Sequence, residues 1–222
     1  MGLKRGLLCG AMLLLMSAGC DLPERQDDAL IVYRMQLGDR VWGFPKAYIK
    51  PSTRNNADAN CLTTTKTTVL LTGATPDFLG LSPETHEAFF GRNFDIVQVL
   101  IQHFDAVSAE DAVRLAVDSR QSNSVVIARH ETPNGVQIER RIRHDEMVDE
   151  MPSREAALVQ CARTTTVPNP YCRAFLAHDG LMLKVSFDAD HKARADEILA
   201  RIKTRMDEWR VGRTDLAPCR ER

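Results

Sequence analysis

Few residues in this 222-residue chain are of types that do chemistry, and their spacing separates very different roles. Six cysteines stand at positions 9, 20, 61, 161, 172 and 219, and none forms the C-x-x-C pair of zinc sites and dithiol oxidoreductases. The densest polar stretch is His144-Asp145-Glu146 with Asp149 and Glu150. These are metal-ligand types, but His144 and Glu146 do not have the spacing that puts two ligands on one helix face. The stretch therefore reads as a solvated connecting loop. The histidines at 86, 103, 130, 178 and 191 stand singly and read as surface or strand-end residues. No G-x-S-x-G elbow, H-E-x-x-H pair, P-loop or G-x-G-x-x-G occurs. Lacking a nucleophile with a base, a carboxylate pair or a metal cluster, the chain is expected to be no enzyme and to hold no metal.

The clearest chemistry is at Cys20. Lys4 and Arg5 precede an apolar run from Leu7 to Met16, and the small residues Ser17-Ala18-Gly19 end at Cys20. A positive segment, a short apolar segment and small residues make a secretory signal. The run is about half the roughly 20 residues that cross a bilayer. Ala18-Gly19-Cys20 resembles the lipobox of bacterial lipoproteins, with Ser17 where Leu is usual. The resemblance implies a diacylglycerol on the Cys20 thiol, cleavage before it and acylation of the new amine, so the only expected prosthetic group is covalent lipid. In enterobacterial lipoproteins, which this end resembles, an Asp in the place of Asp21 retains the protein at the inner membrane. The periplasmic face of that membrane is thus the expected location, ahead of the outer membrane.

Cysteine parity agrees. Removing the signal discards Cys9, and acylating Cys20 leaves four thiols instead of an odd five. Four allow three pairings. Cys161 and Cys172 bracket an expected hairpin, which favours their bond and leaves Cys61 to join Cys219.

These residues divide the chain into a signal at 1–19, an acylated cysteine with a polar tether at 20–28, and one domain at 29–222. The signal carries two basic residues and no acid, so its removal moves the formal charge from −1 to −3. That balance gives no attraction to nucleic acid. Residues 29–37, 42–49, 67–72 and 94–104 read as strands, and 51–66 as a polar loop. Ser82-Pro83 opens a short helix to Phe90, and Ser108 with Asp111 opens a second helix carrying Ala112, Leu115 and Ala116. Residues 125–128 and 136–142 flank the turn Pro133-Asn134-Gly135, and 157–163, 172–177 and 181–187 follow across tight turns. A last helix, 190–209, aligns Ala195, Ile198, Ile202, Met206 and Trp209. The fold expected is α+β: an antiparallel sheet, a meander in its C-terminal half, with helices packed across it and an amphipathic helix closing the chain.

Two features are candidates for contact with a partner. Trp42 and Tyr48 lie in an aromatic segment that either anchors a partner or completes the core. Arg140, Arg141 and Arg143 form a basic strand edge that would meet an acidic partner or simply be solvated. The Phe44-Pro45 and Tyr48 element resembles small Gram-negative lipoproteins, as do Pro76-Asp77-Phe78 with Glu84 and Phe89, the cysteine-bracketed hairpin and the helix ending in Trp209. Some of these look like periplasmic immunity proteins against toxins delivered by type VI secretion. The resemblance implies a membrane-anchored binding protein whose partner is an effector toxin or envelope component. The alternative is a structural or accessory lipoprotein of an envelope or secretion assembly.

Overall fold

A computed structural model describes residues 31–49, 60–64, 67–91, 95–144, 146–163, 169–212 and 216–219. The signal, Cys20, Asp21 and the tether lie outside the described residues, as do most of the 51–66 loop, Phe94, Asp145 and Pro168.

Two sheets form. Alternating burial in β1 (Val32–Leu37) turns Tyr33, Met35 and Leu37 inward. Gly38, with φ 64, makes the turn into β2 (Arg40–Pro45). The small sheet has the order β12-β2-β1-β3, with β3 at Leu62–Thr63 and β12 at Arg210–Val211. The polar-loop expectation for 51–66 thus misses β3, and the expected strand 42–49 ends at Pro45, where a 3-10 turn, Lys46–Tyr48, begins.

The large sheet has the order β4-β5-β11-β10-β9-β8-β7-β6, and all its pairs are antiparallel. Its strands are β4 (Thr68–Ala74), β5 (Ile96–Gln102), β6 (Val125–Glu131), β7 (Gln137–Arg143), β8 (Glu146–Met151), β9 (Leu158–Ala162), β10 (Tyr171–His178) and β11 (Leu181–Asp188). From β6 to β11 it is an unbroken meander. Strand β8 corrects the sequence reading: Glu146, Asp149 and Glu150 lie in a sheet, not a loop, and His144 takes the preceding turn with φ 51. The acidic composition hid a strand because Arg140 and Arg141 of β7, with Arg163 just past β9, offset its acids.

Alternation along the strands separates two apolar clusters. Val97, Val99, Ile101, Leu181, Leu183, Val185 and Phe187 meet helix α3 (Ala195–Trp209) through Ile198, Leu199, Ile202 and Met206. Burying each such aliphatic side chain contributes about 1.5–3 kcal/mol. On the opposite face Leu158, Phe175 and Met182 meet Ala112 and Val113 of helix α2 (Ala109–Ser122). Val113 replaces the expected Leu115, which points outward at 55% exposure. The Ser108 side chain accepts the Asp111 amide, as the capping motif requires. Helix α1 (His86–Phe90) starts later than expected, because Ser82 and Thr85 first close a hydrogen-bonded turn.

Disulfides join Cys61 to Cys219 and Cys161 to Cys172. The first pins the C-terminal tail beside β3, where the Leu62 amide donates to Ala217 and the Cys219 amide to Leu62. The second staples β9 to β10 at the directly opposed pair Cys172 and Cys161.

Candidate binding surface

The aromatic residues singled out in the sequence assemble in the interior. The Tyr48 ring lies 4.6 Å from Trp209 and 5.4 Å from Phe78, and Phe44 lies 6.0 Å from Trp209. Trp42 stacks on Phe44 and is fully buried, and Tyr48 is 9% exposed. Burial also raises the Tyr48 phenol above its usual pKa, partly offset by Arg205. These contacts correct the partner-binding expectation for Trp42 and Tyr48: both rings are spent on joining the small sheet, the turn at Pro76 and α3. Gly73 allows it, since a Cβ there would come within 2.4 Å of the Phe78 ring.

The arginine edge is corrected as well. Strand β7 lies between β6 and β8, so it is not an edge, and its arginines meet acids. Arg140 pairs with Asp149 at 2.9 Å, and Arg163 reaches the same carboxylate at 3.4 Å. Arg141 pairs with Glu139 at 2.8 Å and Glu150 at 3.1 Å. Glu150 further accepts from Gln121 of α2 and Gln160 of β9. Hydrogen bonds from Arg129 and Arg141 hold the Glu139 carboxyl below its usual pKa. Arg143, opposite Glu146, has no such ion pair among the described residues.

What remains open is the end of the large sheet around β6. Register puts Val125, Ile142 and Met147 side by side across β6, β7 and β8. Val125 is 68% exposed and Ile142 38%. Ile127, at the bulge in β6, is 47% exposed. Next to this apolar row, on the same face, runs the row Arg140 and Asp149 with Arg163. Beyond it is a pocket of about 240 Å³ lined by Asp149, Cys161, Arg163, Asp190 and Lys192. An apolar centre bordered by paired charges has the anatomy of a protein–protein contact. The signal is hard to read in sequence, because Val and Ile alternating along a strand normally mean burial.

The single histidines do not converge. His178 meets Asp207 at 2.9 Å, His191 meets Asp95 at 2.7 Å and His103 meets Asp105 at 3.2 Å, far apart in the fold. Among the described residues no group of three or more His, Cys, Asp or Glu could hold a metal ion.

No protein-family model matches the chain, and no curated protein matches it. Among solved structures it is similar to Smlt3025, an immunity protein of the Stenotrophomonas maltophilia type IV secretion system. That match has 11% identity and a TM-score of 0.58, and covers 83% of this chain and 94% of that one. The iron-regulated outer membrane lipoprotein FrpD of Neisseria meningitidis aligns over 82% of this chain and 93% of its own, with 7% identity and a TM-score of 0.49. The similar immunity protein belongs to a type IV system, so the type VI association implied by the short motifs gains no support. At 11% identity the likeness to Smlt3025 is one of fold.

Proposed function

We propose that this chain is an exported, Cys20-acylated binding protein of the immunity type, which occludes an envelope-acting effector through the β6–β8 end of its large sheet. The observation that carries the reading is the apolar row of exposed Val125 and Ile142 with half-buried Met147, beside the ion-paired row of Arg140, Asp149 and Arg163. Exposed β-branched residues on neighbouring strands cost solubility unless a partner covers them. The fold shared with an immunity protein supports the same reading. Two disulfides suit an oxidising compartment, in keeping with residence on the periplasmic face of a membrane. Asp21 directs the protein to the inner membrane in this scheme, with 29–222 as its single periplasmic domain.

The test is a competition between sister cells carrying an active secretion system. Deleting the gene sensitises the cell, and the wild-type chain restores protection. The full chain carrying Ile142→Asp reaches the same level in the envelope but fails to protect. Equal fitness of the deletion strain and its parent would sink the immunity reading. Full protection by Ile142→Asp would leave immunity standing and move its surface elsewhere.

A further inference from the structure

The opposite face of the sheet, under α2, carries positive charge that the fold only partly offsets. On β10, Arg173 lies opposite Ser186 of β11 and Gln160 of β9, and Lys184 lies opposite Phe175. All of these point to the side that α2 covers, because Phe175 packs on Ala112 and Val113. Arg120 of α2 sits 5.0 Å over the Phe175 ring, and Arg173 sits 4.9 Å over Tyr171 while donating to the Tyr171 hydroxyl. Arg143, opposite Glu146 in the β7–β8 register, is on the same side.

Arg120, Arg173 and Lys184 repel one another, and Arg143 acts on Arg120. Arg120 is pushed down to about 10, first by burial, then by Arg173 and Arg143, with Tyr171 and Glu146 opposing. Lys184 is lowered by burial and by Arg173 and Arg120. Among the described residues none of the four has an ion-pair partner, and the Nε atoms of Arg143 and Arg173 are buried without an acceptor. Of the nearby acids, Glu139 and Glu150 pair with Arg141 and Asp188 accepts the Asp190 amide, while Glu146, opposite Arg143, partly offsets the charge around Arg120. A fold that needed these charges only for its own stability would pair them, as it pairs Arg140 and Arg141 on β7.

We propose that Arg120, Arg173 and Lys184, beside α2, form a binding site for an acidic protein segment whose carboxylates they receive. Stacking on Tyr171 and Phe175 holds two guanidinium planes ready for bidentate contact with carboxylates. The site favours a discrete acidic segment over a broad anionic surface. Glu139, Glu146 and Glu150 flank it and the whole chain is net negative, so a short acidic segment that reaches only the cations meets less repulsion than an extended anionic membrane or nucleic acid. It lies on the other face from the Val125 row and does not depend on that surface.

The experiment uses the folded chain from residue 20 onward and a fluorescent hexaglutamate peptide, followed by anisotropy at low salt and by thermal melting. Lys184→Gln, and Arg173→Gln with it, weaken the peptide about tenfold or more, one charge-assisted contact being worth that much. Arg114→Gln, a charge-matched change on the outer side of α2, leaves affinity within about twofold. Without peptide, Lys184→Gln melts higher than wild type, because repulsion is relieved. Peptide binding that survives both substitutions overturns the proposal. So does a lower melting temperature for Lys184→Gln, which would make the charge structural. Two further arms separate the sources of negative charge. Binding to vesicles of phosphatidylcholine with phosphatidylglycerol, or stabilisation by inorganic phosphate, with no response to the peptide, also overturns it.

Discussion

At the scale of single residues, the two disulfides do unequal work although their chemistry is the same. Cys61–Cys219 closes 158 residues and Cys161–Cys172 only 11. On chain entropy the long closure is worth about 5 kcal/mol and the short one about 3. Burial adds a second effect. Cys161 and Cys172 are almost fully buried, so a serine there would strand a hydroxyl in the core at a cost of about 1–3 kcal/mol and mask the difference. Alanine isolates the loop effect. Cys61→Ala is therefore expected to lower stability more than Cys161→Ala, by about 2 kcal/mol, in denaturant melts at matched redox state. A larger loss from Cys161→Ala would mean that the staple between β9 and β10 acts through packing and not through loop closure.

Helix α2 is the element on which the sheet's second face depends, and it is held by little. Only Ala109, Ala112 and Val113 are buried along its 14 residues. Its start rests on Ser108, whose hydroxyl takes the Asp111 amide at 3.0 Å and gives a hydrogen bond to the Asp111 carboxylate. Ser108→Ala should cost about 1 kcal/mol. Amide exchange should quicken in the first turn of α2 and leave α3 untouched. Uniform quickening would show that α2 and α3 open as one unit. The cap was legible in the sequence because its signal is local: a hydroxyl three residues ahead of a free amide. The α3 stripe was legible for the same reason, and Ile198, Ile202 and Met206 are where period 3.6 puts them. Strand β8 was not, because its acids are stabilised by Arg140, Arg141 and Arg163 arriving from other strands. The roles of Trp42 and Tyr48 were equally hidden. Whether a ring is core or contact depends on Phe78 and Trp209, distant in sequence and adjacent in space. The exposure of Val125 was hidden as well, since the turn at Pro133-Asn134-Gly135 marks two strands but not which of them ends the sheet.

For the whole molecule, the strand order sets the direction in which a tethered domain would face. The described chain begins at Ile31 and enters β1 of the small sheet, which meets the large sheet at its β4 side through the Ile49–Leu71 bridge. The Val125 row is at β6, the opposite edge. Seven strand spacings separate β4 from β6, roughly 34 Å. The residues between Cys20 and Val32, if extended, add up to about 40 Å of reach. An anchor at Cys20 would join the domain at its small-sheet side, and a reach comparable with the width of the large sheet would leave the β6 end free to face away from the lipid. Tethering also raises the local concentration of the binding surface at the membrane where such a toxin acts. Both advantages depend on one thiol. Cys20→Ala should take up no palmitate analogue, leave an uncleaved or soluble species, and protect less well than wild type at equal abundance. Equal labelling of mutant and wild type would sink the acylation. Loss of label with full protection would separate the two ideas, keeping the anchor and removing its role in placing the β6 end.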